Sequence, residues 1–192
     1  MARNLLKMIP VAAALLIGGA CGDSGGHSGA PVCDPSPDGG RVQLVAHEDW
    51  EVAPLEADPF AEFAPAVTQE CPVDARLLED FSGTLSYSVR TLDCGYTTVE
   101  QPSLVDTCAG DTLYVWIWHF ALTAPENATA HLAVQIGDDR VWEKAIPIPS
   151  DSGLFTDRVP LTKDYPAGTP VYFHVRNHGS NSYNLLELSL ER

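Results

Sequence analysis

The chain has 192 residues, and 26 acidic against 11 basic side chains give it a net charge of −15. That sign excludes recognition of nucleic-acid phosphates, which needs a basic face, and excludes adhesion of the protein surface to anionic lipid. With 45% hydrophobic residues the chain can bury a real core, and its length suits one domain rather than two.

Met1, Arg3 and Lys7 make a short cationic start, Met8 to Gly19 carry no charge, and Gly18, Gly19 and Ala20 are small. A positive head, an apolar middle and small residues before a cleavage point predict a secretory signal. At about a dozen residues the apolar run is too short to span a bilayer. With Cys21 directly after the small residues, segment 1–20 resembles a bacterial lipoprotein signal peptide, although Gly18 stands where that family usually has Leu. The resemblance implies that Cys21 is lipidated, by palmitate or a related acyl chain, and becomes the mature N-terminus. The protein is then anchored to a membrane of the cell envelope, at the outer membrane or cell surface. Arg3 and Lys7 leave with the signal, so 9 basic residues face 26 acidic ones, a net −17. Five cysteines make an odd number, and acylating Cys21 leaves four for two disulfides. An ordinary secretory signal would leave Cys21 a free thiol.

Residues 21–40 are almost all Gly, Ser, Pro and Asp beyond Cys21 and read as a flexible tether. Residues 41–80 are acidic, with no Lys or Arg between Val42 and Ala75, and are broken by Pro54, Pro59, Pro65 and Pro72. They read as an extended wrap, opened by a strand at Arg41 to Ala46 and docked through Trp50, Phe60 and Phe63. A short helix is expected near Asp74 to Asp80.

From Phe81 the pattern changes to alternating strands. In residues 81–89 the odd positions are mostly apolar and the even ones are Ser or Thr, predicting one buried and one wet face. Further strands are expected at Tyr96 to Leu104, Thr112 to Leu122, Ala130 to Ile136, Arg140 to Ile148, Pro170 to Arg176 and Tyr183 to Glu191. Gly, Pro, Asp and Asn turns separate them. Seven or eight such strands predict an all-β domain over 81–192, an antiparallel β-sandwich. Of the three pairings open to Cys33, Cys71, Cys94 and Cys108, the preferred one joins Cys94 to Cys108 and Cys33 to Cys71. In turn style and strand order, notably Pro166 to Phe173 and Leu186 to Leu190, this half resembles jelly-roll sandwiches of bacterial galactose-binding-like and carbohydrate-binding modules. That resemblance implies a glycan partner.

Two strands carry candidate binding residues. In residues 113–120, alternation puts Tyr114, Trp116, Trp118 and Phe120 on one face and Leu113, Val115, Ile117 and His119 on the other. Either the 41–80 wrap covers the second apolar face, or the aromatics form an open platform on which sugar rings stack. In residues 171–176, Tyr172, His174 and Arg176 share the face away from the core. Tyr183 and Glu187 would join them if the last strand lay alongside, giving either a hydrogen-bonding glycan rim or a plain Arg176–Glu187 ion pair. Trp116, Trp118, Tyr172, His174 and Arg176 are therefore the expected ligand residues. No metal site, cofactor or catalytic residue is expected: there is no HExxH, CxxC pair, GxSxG, phosphate loop or dinucleotide fingerprint. His119 and His131 lie on different strands. The leading reading is a non-catalytic binding or adhesion module. A structural envelope protein with a protein partner comes second, marked by an exposed patch at Trp50, Phe60 and Phe63. A hydrolase using two carboxylates distant in sequence comes third.

Overall fold

A strand with one apolar row must bury that row against another layer, and here two sheets do so face to face. The computed structural model describes Cys33 and residues 40–64, 71–92 and 94–192; the expected signal and most of the tether lie outside them. The described residues form eleven strands. These are β1 (Arg41–Gln43), β2 (Glu51–Val52), β3 (Arg76–Phe81), β4 (Thr84–Arg90), β5 (Tyr96–Pro102), β6 (Thr112–His119), β7 (Ala128–Ile136), β8 (Asp139–Ile148), β9 (Gly153–Pro160), β10 (Pro170–Arg176) and β11 (Ser182–Glu191). The first sheet runs β3-β4-β11-β6-β9, with β1 also paired to β11, and the second runs β2-β5-β10-β7-β8. The all-β antiparallel sandwich is the expected fold class.

Leu113, Val115 and Ile117 from β6 and Leu185, Leu188 and Leu190 from β11 face Val171, Phe173 and Val175 from β10 and Leu132, Val134 and Ile136 from β7. After β1 the chain crosses from one sheet to the other. Gln101 fixes the crossing by bonding both the amide and the carbonyl of Ala46 through its side chain, each at 2.9 Å. Trp50 then plugs the gap between the layers, 6.0 Å from Tyr87 on the first sheet and 6.4 Å from Phe173 on the second.

The structure departs from the sequence expectations at several elements. The helix expected near Asp74 to Asp80 is a single 3-10 turn at Val73–Ala75 followed by strand β3. Ser82 and Gly83, with φ of 54° and 87°, reverse the chain in a two-residue turn that zips β3 onto β4. Ser86 and Ser88, expected to face water, are fully buried. Strand β9 was not expected, because Asp157 and Arg158 interrupt its apolar pattern. It is an edge strand whose inward Asp157 accepts hydrogen bonds from Trp142 Nε1 and Lys144 Nζ, both at 2.9 Å, across to the second sheet. β11 pairs with β4, β6 and β1 and not with β10.

The disulfides are Cys33–Cys108 and Cys71–Cys94, with Cα separations of 5.9 and 4.7 Å, in place of the preferred pairing. The reason is that β5 runs extended between Cys94 and Cys108. Its seven residues hold the two apart by about 20 Å, far beyond the roughly 7 Å a bridge tolerates. Cys71–Cys94 closes a loop of 23 residues, so Cys71→Ser with Cys94→Ser should cost about 3 kcal/mol in urea unfolding. A loss under 1 kcal/mol would mean the unfolded chain gains little freedom from reduction.

Candidate functional site

The aromatic row of β6 lies on the outer face of the first sheet, because Leu113, Val115, Ile117 and His119 take the core side. Antiparallel register sets its neighbours. Tyr114 lies between Ser189 and Arg158, Trp116 between Glu187 and Thr156, and Trp118 between Asn184 and Leu154. A bulge in β11 between Leu185 and Glu187 shifts the alternation by one. Glu187 is thereby turned outward beside Trp116, while Leu185 and Leu188 both stay in the core. His47 bonds the carbonyl of Leu186 at the bulge through Nε2, at 3.1 Å.

Glu187 is a largely buried carboxylate, and its partners hold it in one orientation. Arg41 donates from Nε and Nη2 at 2.7 and 3.0 Å, and Ser189 Oγ donates at 2.7 Å. The hydrogen bond to Glu187 pushes the Arg41 guanidinium pKa above its usual value. The Arg41 guanidinium sits 4.0 Å from the centre of the Tyr114 ring and that of Arg158 sits 5.0 Å from it. Arg158 also pairs with Glu191 at 3.1 Å. A cleft of about 590 Å³, lined by Gly40, Arg41, Glu187, Glu191 and Arg192, opens beside this end of the row.

The other end is apolar. Phe81 and Trp118 have ring centres 4.6 Å apart, and Phe120 meets Trp118 edge-on at 4.2 Å. In a flat sheet β3 and β6 would be about 14 Å apart, with two strands between them. The contact therefore requires the β3–β4 hairpin to bend over the outer face, and this bend closes Ser86 and Ser88 off from water. Between the two ends stands Trp116. It is half-buried, no ring or guanidinium among the described residues stacks on it, and its indole N–H is shut off from water without a hydrogen-bond partner.

Of the segment expected to wrap the domain, β1 and β3 are strands of the first sheet, and Asp58 to Phe63 lie against the outer face of the second. Phe60 lies parallel on His174, centres 4.5 Å apart, and Phe63 packs on His131 at 4.5 Å. Arg140 holds the wrap through Glu62 at 2.9 Å and stands 4.7 Å from the Phe60 ring centre. Asp58 accepts from the Tyr96 hydroxyl, and burial followed by Asp58 raises the Tyr96 pKa. His174 is fully buried, bonded through Nδ1 to Thr98 Oγ1 at 2.9 Å, with Nε2 unpartnered. Burial foremost, and then the nearby His131, Arg140 and Arg176, push its pKa down to about 2.

The five expected ligand residues therefore do not meet. Trp116 and Trp118 lie on the outer face of one sheet, and Tyr172, His174 and Arg176 on the outer face of the other, where His174 is beneath the wrap. Glu187 pairs with Arg41 and not with Arg176. His119 points into the core and His131 away from it, so that pair does not meet either. Trp50 and Phe60 are buried, which removes the exposed patch expected of them. Arg41, Phe81 and Arg158 were missed by sequence reasoning. One signal was available: Glu187 is a lone acid in the apolar run Leu185-Leu186-Glu187-Leu188, and such a charge calls for a partner. The shifted carboxyls all titrate low. Arg140 lowers Glu62, Lys163 and Tyr165 lower Asp139, and at Asp157 the upward push of burial is outweighed by hydrogen bonds from Lys144 and Trp142. None of these three is the raised carboxyl that a general acid needs.

No protein-family model and no curated protein matches the sequence. Among solved structures the chain is similar to a family 4 carbohydrate-binding module, at 16% identity and a TM-score of 0.39 over 59% of this chain and 86% of that one. It is similar to a family 61 carbohydrate-binding module solved with β-1,4-galactotriose, at 12% identity and a TM-score of 0.42 over 62% and 83%. It is also similar to the K3 adhesin domain of Lys-gingipain from Porphyromonas gingivalis, at 13% identity and a TM-score of 0.40 over 59% and 79%.

Proposed function

We propose that this protein is a lipid-anchored component of the cell envelope that displays a non-catalytic glycan-binding β-sandwich, with Trp116 at the centre of its ligand face. The observation that carries the reading is Trp116, a half-buried indole on which no ring or guanidinium among the described residues stacks, flanked by a fixed carboxylate and by Thr156. A flat ring stacks on the C–H face of a sugar while neighbouring acceptors and donors take its hydroxyls. Trp116→Ala should weaken retention of the full chain in affinity electrophoresis through the preferred polysaccharide by at least tenfold, a loss of about 1.4 kcal/mol. Equal retention by wild type and variant on every polysaccharide tested would remove the reading.

The envelope location is supported by the sequence: a cationic start, an apolar run and Cys21 after small residues. A single acyl chain binds membranes only marginally, so stable anchoring needs more than one. The mature protein is expected to begin at Cys21 with the mass of attached acyl chains, and Cys21→Ser should move it from the detergent phase to the aqueous phase. A mature N-terminus elsewhere, without lipid mass, contradicts the anchor.

A second reading, a structural envelope protein with a protein partner, is favoured by one observation. Phe120 and Leu154 are 59% and 56% exposed at the apolar end of the same face. Crosslinking from Leu154→Cys in envelope fractions tests it: a single discrete adduct supports it and none opposes it.

A further inference from the structure

Resting on the glycan-binding reading, we infer that the outer face of the first sheet takes the end of an uncharged glycan chain, its terminal ring seated on Trp116.

The aromatics Tyr114, Trp116 and Trp118 of β6 offer one seat and not a continuous platform. Trp118 is capped by Phe81 and flanked by Phe120. Tyr114 is held between the guanidiniums of Arg41 and Arg158. Of the three rings on β6, Trp116 has no ring or guanidinium against it among the described residues, and the contacted rings Tyr114 and Trp118 stand two residues to either side of it. The open stretch is therefore about 13 Å along the strand, room for a ring or two but not for a long chain lying along β6. Along β6 the bent β3–β4 hairpin stands over Trp118 and the guanidiniums of Arg41 and Arg158 stand against Tyr114, so a chain is inferred to reach this seat by its end.

Charge excludes an acidic ligand. The cations that frame the face are already matched: Arg41 with Glu187 and Glu191, Arg90 with Glu79, and Arg158 with Glu191. Among the described residues a uronate or sulfate would find no free guanidinium there, and it would approach a chain of net charge −15. What remains around the seat is suited to hydroxyls: the Thr156 side chain and a carboxylate held by Arg41 and Ser189.

The test is calorimetric titration of the full chain with neutral cello-, xylo-, manno- and galacto-oligosaccharides of two to six units. Oligogalacturonate and hyaluronan fragments serve as acidic probes. For the best neutral series the dimer should bind within threefold of the hexamer, and raising NaCl from 0.05 to 0.5 M should change the affinity by less than twofold. Phe81→Ala, with its melting temperature checked against wild type, uncaps Trp118 and should raise the hexamer-to-dimer affinity ratio at least fivefold. Affinity that climbs with each unit up to the hexamer in wild type overturns the chain-end geometry, and this arm decides even where Phe81→Ala does not fold. Preference for the acidic probes overturns the uncharged class. Binding of no glycan at all sinks the glycan reading itself and this inference with it.

Discussion

Lowering the pH from 7 to 4.5 should strip about 3 kcal/mol of folding stability through His174 alone. The folded protein holds this imidazole near pKa 2, whereas an unfolded histidine titrates near 6.5. Between those values the unfolded chain binds a proton that the folded chain refuses, so acid favours unfolding. Stability is complete above pH 6.5 and falls by about 1.4 kcal/mol for each pH unit below it. The cause is the packing of the second sheet's outer face. Phe60 stacks on the imidazole, and Phe63 and Tyr96 also lie against it. His131 is 5.3 Å away between ring centres, and Thr98 takes its Nδ1. The charged groups nearest in effect are positive: Arg140 from β8, Arg176 from β10 itself, and His131 when protonated. Glu143 and Glu62 are occupied elsewhere, with His131 and with Arg140, and Asp58 faces Tyr96. His47, also lowered by burial, adds in the same direction.

Urea unfolding at pH 7, 6, 5 and 4.5 measures the slope, and His174→Phe, which keeps a ring under Phe60, should flatten it. The direct check is the His174 ring-proton resonance, which should not shift across this range. A resonance that titrates with a midpoint near 6.5 would falsify the account.

Gly179→Ala should be the most damaging single methyl addition, at about 3–5 kcal/mol. Gly179 has φ of 87°, a conformation L side chains rarely adopt, and an added Cβ would stand 2.2 Å from the Thr123 carbonyl oxygen and 3.0 Å from Ala124 Cα. Both are backbone atoms, so no side chain can swing aside. The neighbours are also tied down. Asn177 takes the Tyr183 hydroxyl at 2.6 Å and donates to Thr91 Oγ1 at 2.6 Å, while Asn181 bonds both the amide and the carbonyl of Thr123. This network locks the β10–β11 loop to the loops after β4 and β6, so a shift at Gly179 leaves several buried polar groups unpaired. Gly110→Ala is the control. Its φ is 104° but open space surrounds the added methyl, so strain alone should cost about 1 kcal/mol. Thermal melts that place the two variants within 1 kcal/mol of each other would show that the loop yields.

The proposed envelope location rests on sequence alone, as does the expectation, from net charge, that nucleic acid is not a partner. Local alternation was enough to place β5, β6, β7, β8, β10 and β11 close to their final bounds, and to say that Trp116 and Trp118 share a face opposite Val115 and Ile117. Period two is a property of the strand itself, so it can be read one strand at a time. What alternation does not carry is what lies against each face. Whether the wrap covered the Trp116 side or the His174 side, whether β11 lay beside β10 or β6, and which cysteines met are all matters of contacts between segments far apart in sequence. Those were decided by the closing of two sheets on one core. It put Phe60 over His174, turned Glu187 outward at a bulge to meet Arg41, and bent Phe81 across to Trp118, leaving no ring or guanidinium among the described residues on Trp116.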